Sequence, residues 1–249
     1  MPLIKSVIKG LKILEFIANS TSPPTPLQIS NALGMNRTTV YHFIQTLESE
    51  GYVTRENQAN AYALGLKILP LVGKALDCNK LRIESLPYLQ GLNRKLEERV
   101  NLGILFDSEV LFLAGIEKPS LPMMYSHFGK KAPAHCCSIG KIILAYMPEK
   151  EAERVINEKP LIRFTENTIT DLSLFKRHLS EIRSQGYAVD NAEHISGEYC
   201  IATLIKGEEG RGIGAVSASS DNLEKLDQHL DDLFETAEII SHLMGFRVR

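Results

Sequence analysis

The chain has 249 residues, of which 44% are hydrophobic and 23% charged, a composition that excludes a disordered or fibrous polymer and makes two domains the starting expectation. Four cysteines, two of them adjacent, exclude a dense disulfide framework and fit a reducing, cytoplasmic setting. Residues 1–75 carry seven Lys and Arg against four acids (+3), and the remainder twenty-one against twenty-six (−5), so the head alone is expected to meet a polyanion. No stretch reads as a signal peptide or membrane span, and no membrane partner is expected.

The apolar residues Val7, Leu11, Leu14, Ile17 and Ala18 recur at helical spacing and predict a first helix over about 6–19 that buries this face. Ser-Thr-Ser-Pro-Pro then breaks it. Thr25, Pro26 and Gln28 have the form of a cap, a first-turn proline and a capping-box partner, opening a short helix that Gly34 closes. Asn36 can cap a further helix with Val40, Phe43, Ile44 and Leu47 on its inner face, ended by Gly51. Two short helices joined by Leu-Gly-Met-Asn make a helix-turn-helix, and the hairpin expected from Tyr-Val-Thr-Arg, a polar tip and Ala-Tyr-Ala-Leu makes a wing. The outward residues Arg37, Thr38, Thr39, Tyr41, His42 and Gln45 offer groups suited to phosphates and base edges. With Thr25, Asn36 and the wing residue Arg55 they form the candidate contacts to double-stranded DNA.

Beyond the wing, Leu66–Leu76 reads as an apolar helix too exposed to stand alone, expected to pair with a second subunit, with a kink or early stop at Pro70. A helix over 81–98 turns Leu81, Leu86, Leu89, Leu92 and Leu96 inward. Strand-like runs follow at 101–106, 109–117 and 121–128, then helices at 138–147, 149–157 and 171–185. Strands are expected again at 186–195, 198–206 and 212–219, before a final helix over 222–244. Two sets of three strands with helices between and after them predict an α+β domain, a mostly antiparallel sheet flanked by helices. Ser138-Ile139-Gly140-Lys141 opens a helix directly after a polar loop, where uncapped amides attract a carboxylate or phosphate. Lys141 is expected to be solvated.

Four segments, in order, carry a family resemblance: LQISNALGMNRTTVYHFIQTLESEGYV, YALGLKILPLVG, PAHCCSIGKIILAYMP, and GYAVDNAEHISGEYCIATLIKG followed by GIGAVSASS. Together they resemble the IclR family of bacterial transcription regulators over nearly the whole chain. His42 stands where that family often has Arg, and Cys136-Cys137-Ser138 where it usually has small residues. The resemblance implies a GAF/PAS-like sensor fold, with effector contacts at Asp190, Cys200, Ser217 and Ser219 and at the backbone amides of Ser138 and Ile139. Ser217 and Ser219 alternate along one strand and so share a side.

The expected organisation is a winged helix-turn-helix over 1–65, a linker helix over 66–78, and an effector-binding and oligomerisation domain over 79–249. The expected partners are a palindromic operator, a small organic acid and a second or further copies of the chain, as homodimer or homotetramer, with repression favoured over activation. No cofactor is expected. His135, Cys136, Cys137, His194 and Cys200 are zinc-ligand types in no compact zinc spacing, so no metal is expected either. The competing readings are a Cys/His acyl-transfer enzyme or a protein-interaction module on the C-terminal domain. No nucleophile elbow, phosphate loop or dinucleotide fingerprint favours catalysis.

Overall fold

The computed structural model describes residues 2–56, 60–120 and 128–247. The chain falls into two compact units, 1–78 and 79–249.

In the first unit, helix α1 runs over Lys5–Asn19, α2 over Pro26–Leu33 and α3 over Arg37–Ser49, followed by a hairpin of β1 (Val53–Glu56) and β2 (Ala61–Leu64). The local chemistry sets the boundaries. The Thr25 side chain accepts from the Gln28 amide while Gln28 reaches back to the Thr25 amide, Pro26 begins α2, and Gly34 closes it in the left-handed region at φ 60°. Asn36 Oδ1 accepts from the Thr38 amide at 2.9 Å and so starts α3. The core joins Ile13, Ile17, Ile29, Val40, Ile44, Val53 and Tyr62. Val7 and Leu11, expected on the inner face of α1, are 55% and 53% exposed; the buried stripe runs through the expected Ile17 and through Ile13. Residues 57–59 of the expected wing tip lie outside the described residues.

Helix α4 covers Ile68–Asp77 and buries none of its residues within the unit. Pro70 neither kinks nor stops it. The helix begins only at Ile68, so Pro70 sits in the first turn, where a missing N–H costs no intrahelical bond.

The second unit is built on one six-stranded antiparallel sheet. Its strands are β3 (Arg99–Phe106), β4 (Glu109–Ile116), β5 (Lys131–Pro133), β6 (Tyr187–Asn191), β7 (Tyr199–Lys206) and β8 (Gly212–Ser220), in the order β5-β4-β3-β8-β7-β6. The expected strand over 121–128 lies outside the described residues except for Phe128, and the short β5 takes the edge beside β4. Helix α5 (Lys80–Leu96) packs on one face with α9 (Leu223–Asp227) and α10 (Leu230–Leu243), meeting Val100, Leu102, Ile201, Val216 and Ala218. The single C-terminal helix expected over 222–244 is two. His229 leaves helical dihedrals at φ −111°, ψ 16°, and its ring pairs with Asp232 at 3.0 Å.

Helices α6 (Ser138–Tyr146), α7 (Glu149–Glu158) and α8 (Leu172–Gln185) cover the opposite face. Side chains alternate across a strand, so the residues facing α6 are those interleaved with the α5 side. Beneath the body of α6 these are small: Ala188, Ala202 and Ala215. A Cβ on Gly140 would lie 2.2 Å from the Ala134 carbonyl oxygen, so only glycine lets the first turn of α6 seat this deeply. All of α6 from Ser138 to Ala145 is buried.

Candidate effector cavity and DNA-facing helix

On α3 the helical period turns Val40 and Ile44 to zero exposure and leaves Arg37, Thr38, Tyr41, His42 and Gln45 exposed, with Thr39 half-buried. Tyr41 is 44% exposed, which leaves its ring available to a partner. Asn36 and Thr25 already spend a side-chain oxygen each on capping, which places them at helix starts where free amides favour a phosphate. Arg55 donates to Asn60 Oδ1 at 2.8 Å across the hairpin, so the guanidinium is held on the wing.

In the second unit the face that is apolar beneath α6 turns polar where that helix begins. Register does this. Arg99 on β3 pairs with Ser219 on β8, Ser219 with Cys200 on β7, and Cys200 with Asp190 on β6, making one polar row across four strands. Asn101 and Ser217, paired in the neighbouring row, extend it. Above this floor lies a cavity of about 230 Å³ lined by all six residues expected from the sequence: Ser138, Ile139, Asp190, Cys200, Ser217 and Ser219. Arg99, Asn101, His194 and Glu198 line it too, and the sequence reading did not single out the first, second or last of these. Their signal was present as alternation: Arg99 and Asn101 interleave with the buried Val100 and Leu102.

The floor is internally bonded. Cys200 Sγ donates to Ser219 Oγ at 3.1 Å, and Asn101 Nδ2 donates to Ser219 Oγ at 3.3 Å and Ser217 Oγ at 3.5 Å. Cys137, the N-cap of α6, offers no side-chain cap, so the Ser138 and Ile139 amides have no intrahelical partner and stay available to an acceptor. Asp190 Oδ1 accepts from the Glu193 amide at 2.7 Å, holding the turn after β6. Burial pushes the Asp190 carboxyl up to about 7, against the opposing pull of the Glu193 amide and Lys141.

Lys141 corrects the sequence reading. It is not solvated: it is wholly buried, and Nζ is paired with the equally enclosed Glu193 Oε1. An amphipathic pattern cannot show this, because the partner lies 52 residues away, in the turn after β6. The pair fastens α6 to the Asp190 turn, and Thr168 Oγ1 adds a 2.6 Å bond to the Glu193 carbonyl.

His135, expected in a loop or core with a partner, is buried with Nε2 3.0 Å from the Ile162 carbonyl oxygen, and burial lowers its pKa. Burial raises the Cys136 thiol to about 12 and raises Cys137 and Cys200 as well, so none is the thiolate that nucleophilic chemistry needs. Among the described residues no three His, Cys, Asp or Glu side chains converge as metal ligands, and no helix is long and apolar enough to cross a membrane.

The IclR helix-turn-helix domain model matches residues 6–57, and the model for the bacterial transcriptional regulator IclR C-terminal matches residues 73–242. The chain is 30% identical over 253 residues to the DNA-binding transcriptional repressor YiaJ of Escherichia coli (strain K12), covering 98% of this chain and 89% of that one. The crystal structure of the Thermotoga maritima IclR aligns with a TM-score of 0.71 at 30% identity, over 97% of this chain and 99% of that one. An IclR homolog from Microbacterium hydrocarbonoxydans, crystallised in complex with 4-hydroxybenzoate, shares the fold at a TM-score of 0.79 and 23% identity, over 96% and 99% of the two chains. With a helix-turn-helix model and a C-terminal model matched in order across nearly its whole length, the chain is a DNA-binding transcription regulator and belongs to the IclR family.

Proposed function

We propose that the protein represses transcription by holding a palindromic operator with two copies of α3, and that a small organic acid in the C-terminal cavity changes its grip on DNA. Arg37, Thr38, Thr39, Tyr41, His42 and Gln45 enter the major groove, while Thr25, Asn36 and Arg55 touch the flanking backbone. The acid docks its carboxylate on the Ser138 and Ile139 amides and its other polar atoms among Asp190, Cys200, Ser217 and Ser219. The observation that carries this reading is the cavity itself: a polar floor on an otherwise apolar sheet face, at the uncapped start of a buried helix. The Microbacterium homolog's 4-hydroxybenzoate is a small carboxylate on the same fold, which supports the ligand class.

The protein regulates rather than catalyses, a reading supported by thiols that burial keeps protonated. It works in the cytoplasm, where its DNA is. The organisation is a DNA-binding head over 1–65, a linker helix over 66–78 and an effector domain over 79–249. Leu69 and Leu71 on α4 are 62% and 57% exposed, which supports pairing of this helix with a second copy in a homodimer or homotetramer.

Titration calorimetry with short organic acids tests the site. Ser217→Ala removes a floor hydroxyl and should weaken the acid by about 1 kcal/mol, roughly fivefold. Equal affinity in parent and variant would move the pocket elsewhere.

A further inference from the structure

The reading of the cavity as the effector site leaves two of its polar atoms without a purpose. Arg99 Nε and Asn101 Oδ1 are buried and have no hydrogen-bond partner. Both residues lie on the cavity-facing side of β3, two apart, and both line the cavity. The Arg99 guanidinium is not idle on its other edge: Nη2 donates to Glu198 Oε1, from the segment leading into β7. Glu198 is itself a cavity residue with its side chain 29% exposed, so it can swing to water at little cost. One guanidinium edge is thus occupied by a replaceable carboxylate, and the adjoining Nε–H waits for a second acceptor. A carboxylate taking Nε–H and Nη–H together is the bidentate geometry that arginine favours.

The cavity has a second anion-binding end. The Ser138 and Ile139 amides open α6, and Ile139 packs on β3 at Gly103, where a Cβ would lie 3.1 Å from its Cγ2. Both ends line the same cavity of about 230 Å³, which leaves room for a short carbon chain between them. Between the two ends stands Asn101 Oδ1, an acceptor with nothing to accept, while its own Nδ2 donates to the Ser217 and Ser219 hydroxyls.

The geometry points to an effector that is a short hydroxylated dicarboxylate: one carboxylate on the Ser138 and Ile139 amides, the second on Arg99 in place of Glu198, and a hydroxyl donating to Asn101 Oδ1. This rests on the proposed effector site and goes further, since a monocarboxylate would leave Arg99 with Glu198. Glu198 then acts as an internal stand-in for the ligand's second acid, and Arg99 sets specificity for diacids over monoacids.

Four four-carbon probes separate the parts: malate, succinate, 3-hydroxybutyrate and butyrate, each titrated against the full chain by calorimetry. Malate and succinate should bind at least tenfold more tightly than 3-hydroxybutyrate and butyrate respectively, and malate more tightly than succinate. Arg99→Gln should bring the diacids down to the monoacid level. Glu198→Gln, which removes the competitor but keeps the fold's bulk, should raise diacid affinity severalfold. Arg99→Lys, included in case the glutamine variant unfolds, should retain part of the diacid preference. Monoacids binding as tightly as diacids would overturn this inference while leaving the effector site standing. Diacid affinity unmoved by Arg99→Gln, or lowered by Glu198→Gln, would overturn it as well. Binding by none of the four would overturn both.

Discussion

Breaking the buried pair between α6 and the Asp190 turn by removing one partner should destabilise the C-terminal unit, and removing both should cost less than the two losses together. Lys141 is wholly buried and Glu193 has a side-chain exposure of 5%. Lys141→Met removes the cation and leaves a carboxylate whose Oε2 already lacks a partner. Truncating one member of such a pair costs about 3–5 kcal/mol. Glu193→Gln strands the ammonium instead and should cost a similar amount. The double variant Lys141→Met, Glu193→Gln should be milder than the sum of the two singles. Urea unfolding of the three variants and the parent at pH 7 supplies the numbers. Single-variant penalties below about 1 kcal/mol, or a double variant as costly as the sum of the singles, would refute the description of this pair as buried and mutually dependent.

Asp190 makes a separate pH prediction. Its carboxyl is held up to about 7 by burial against an ordinary 3.8, so between those values the folded chain keeps a proton that the unfolded chain releases. The associated stability is complete below pH 3.8 and is lost as pH rises to about 7, so Asp190→Asn, which keeps the acceptor for the Glu193 amide, should stabilise the protein at pH 8 and not at pH 4. Thermal melts at the two pH values check this, and an equal loss at both would contradict it. Gly140→Ala should lower stability by about 3 kcal/mol, because its Cβ would stand 2.2 Å from a backbone carbonyl oxygen; a melting temperature within a degree of the parent would be inconsistent with the seating of α6. Arg37→Ala should weaken DNA binding by about 1–3 kcal/mol with an unchanged melting temperature, and Thr39→Ala and Tyr41→Ala by less, all read by fluorescence anisotropy. If all three bind like the parent at physiological salt, α3 does not face the groove.

The sequence was most informative where a single local rule decides the structure. Thr25 with Gln28, Asn36, and Gly34 are short-range signals, and the helices they bound fall within a residue or two of expectation. It was less informative where distant residues decide. In α1 the spacing marked Ile17 for the inner face but took Val7 and Leu11 in place of Ile13, which packing with α2, α3 and the hairpin selects. β5 is three residues long and exists because β4 offers it an edge, so no internal pattern marks it. The break at His229 has no Pro or Gly to announce it. At the cavity, the residues carried by family resemblance all fall on one lining, but Lys141 was misjudged because its partner is remote in sequence. Arg99 was missed because the expected strand began two residues too late, which hid the alternation that places it beside Asn101.

In the proposed function, an acid in the cavity governs the grip of α3 on DNA. The direct measurement is DNA affinity, by anisotropy on a duplex selected by the protein from a random pool, with and without saturating malate, for the parent and Ser217→Ala. Malate should lower the DNA affinity of the parent, DNA should weaken malate binding by the same factor, and Ser217→Ala should shift the malate dose required without altering affinity for DNA alone. A parent whose DNA affinity is identical with and without an acid shown to occupy the cavity would contradict it.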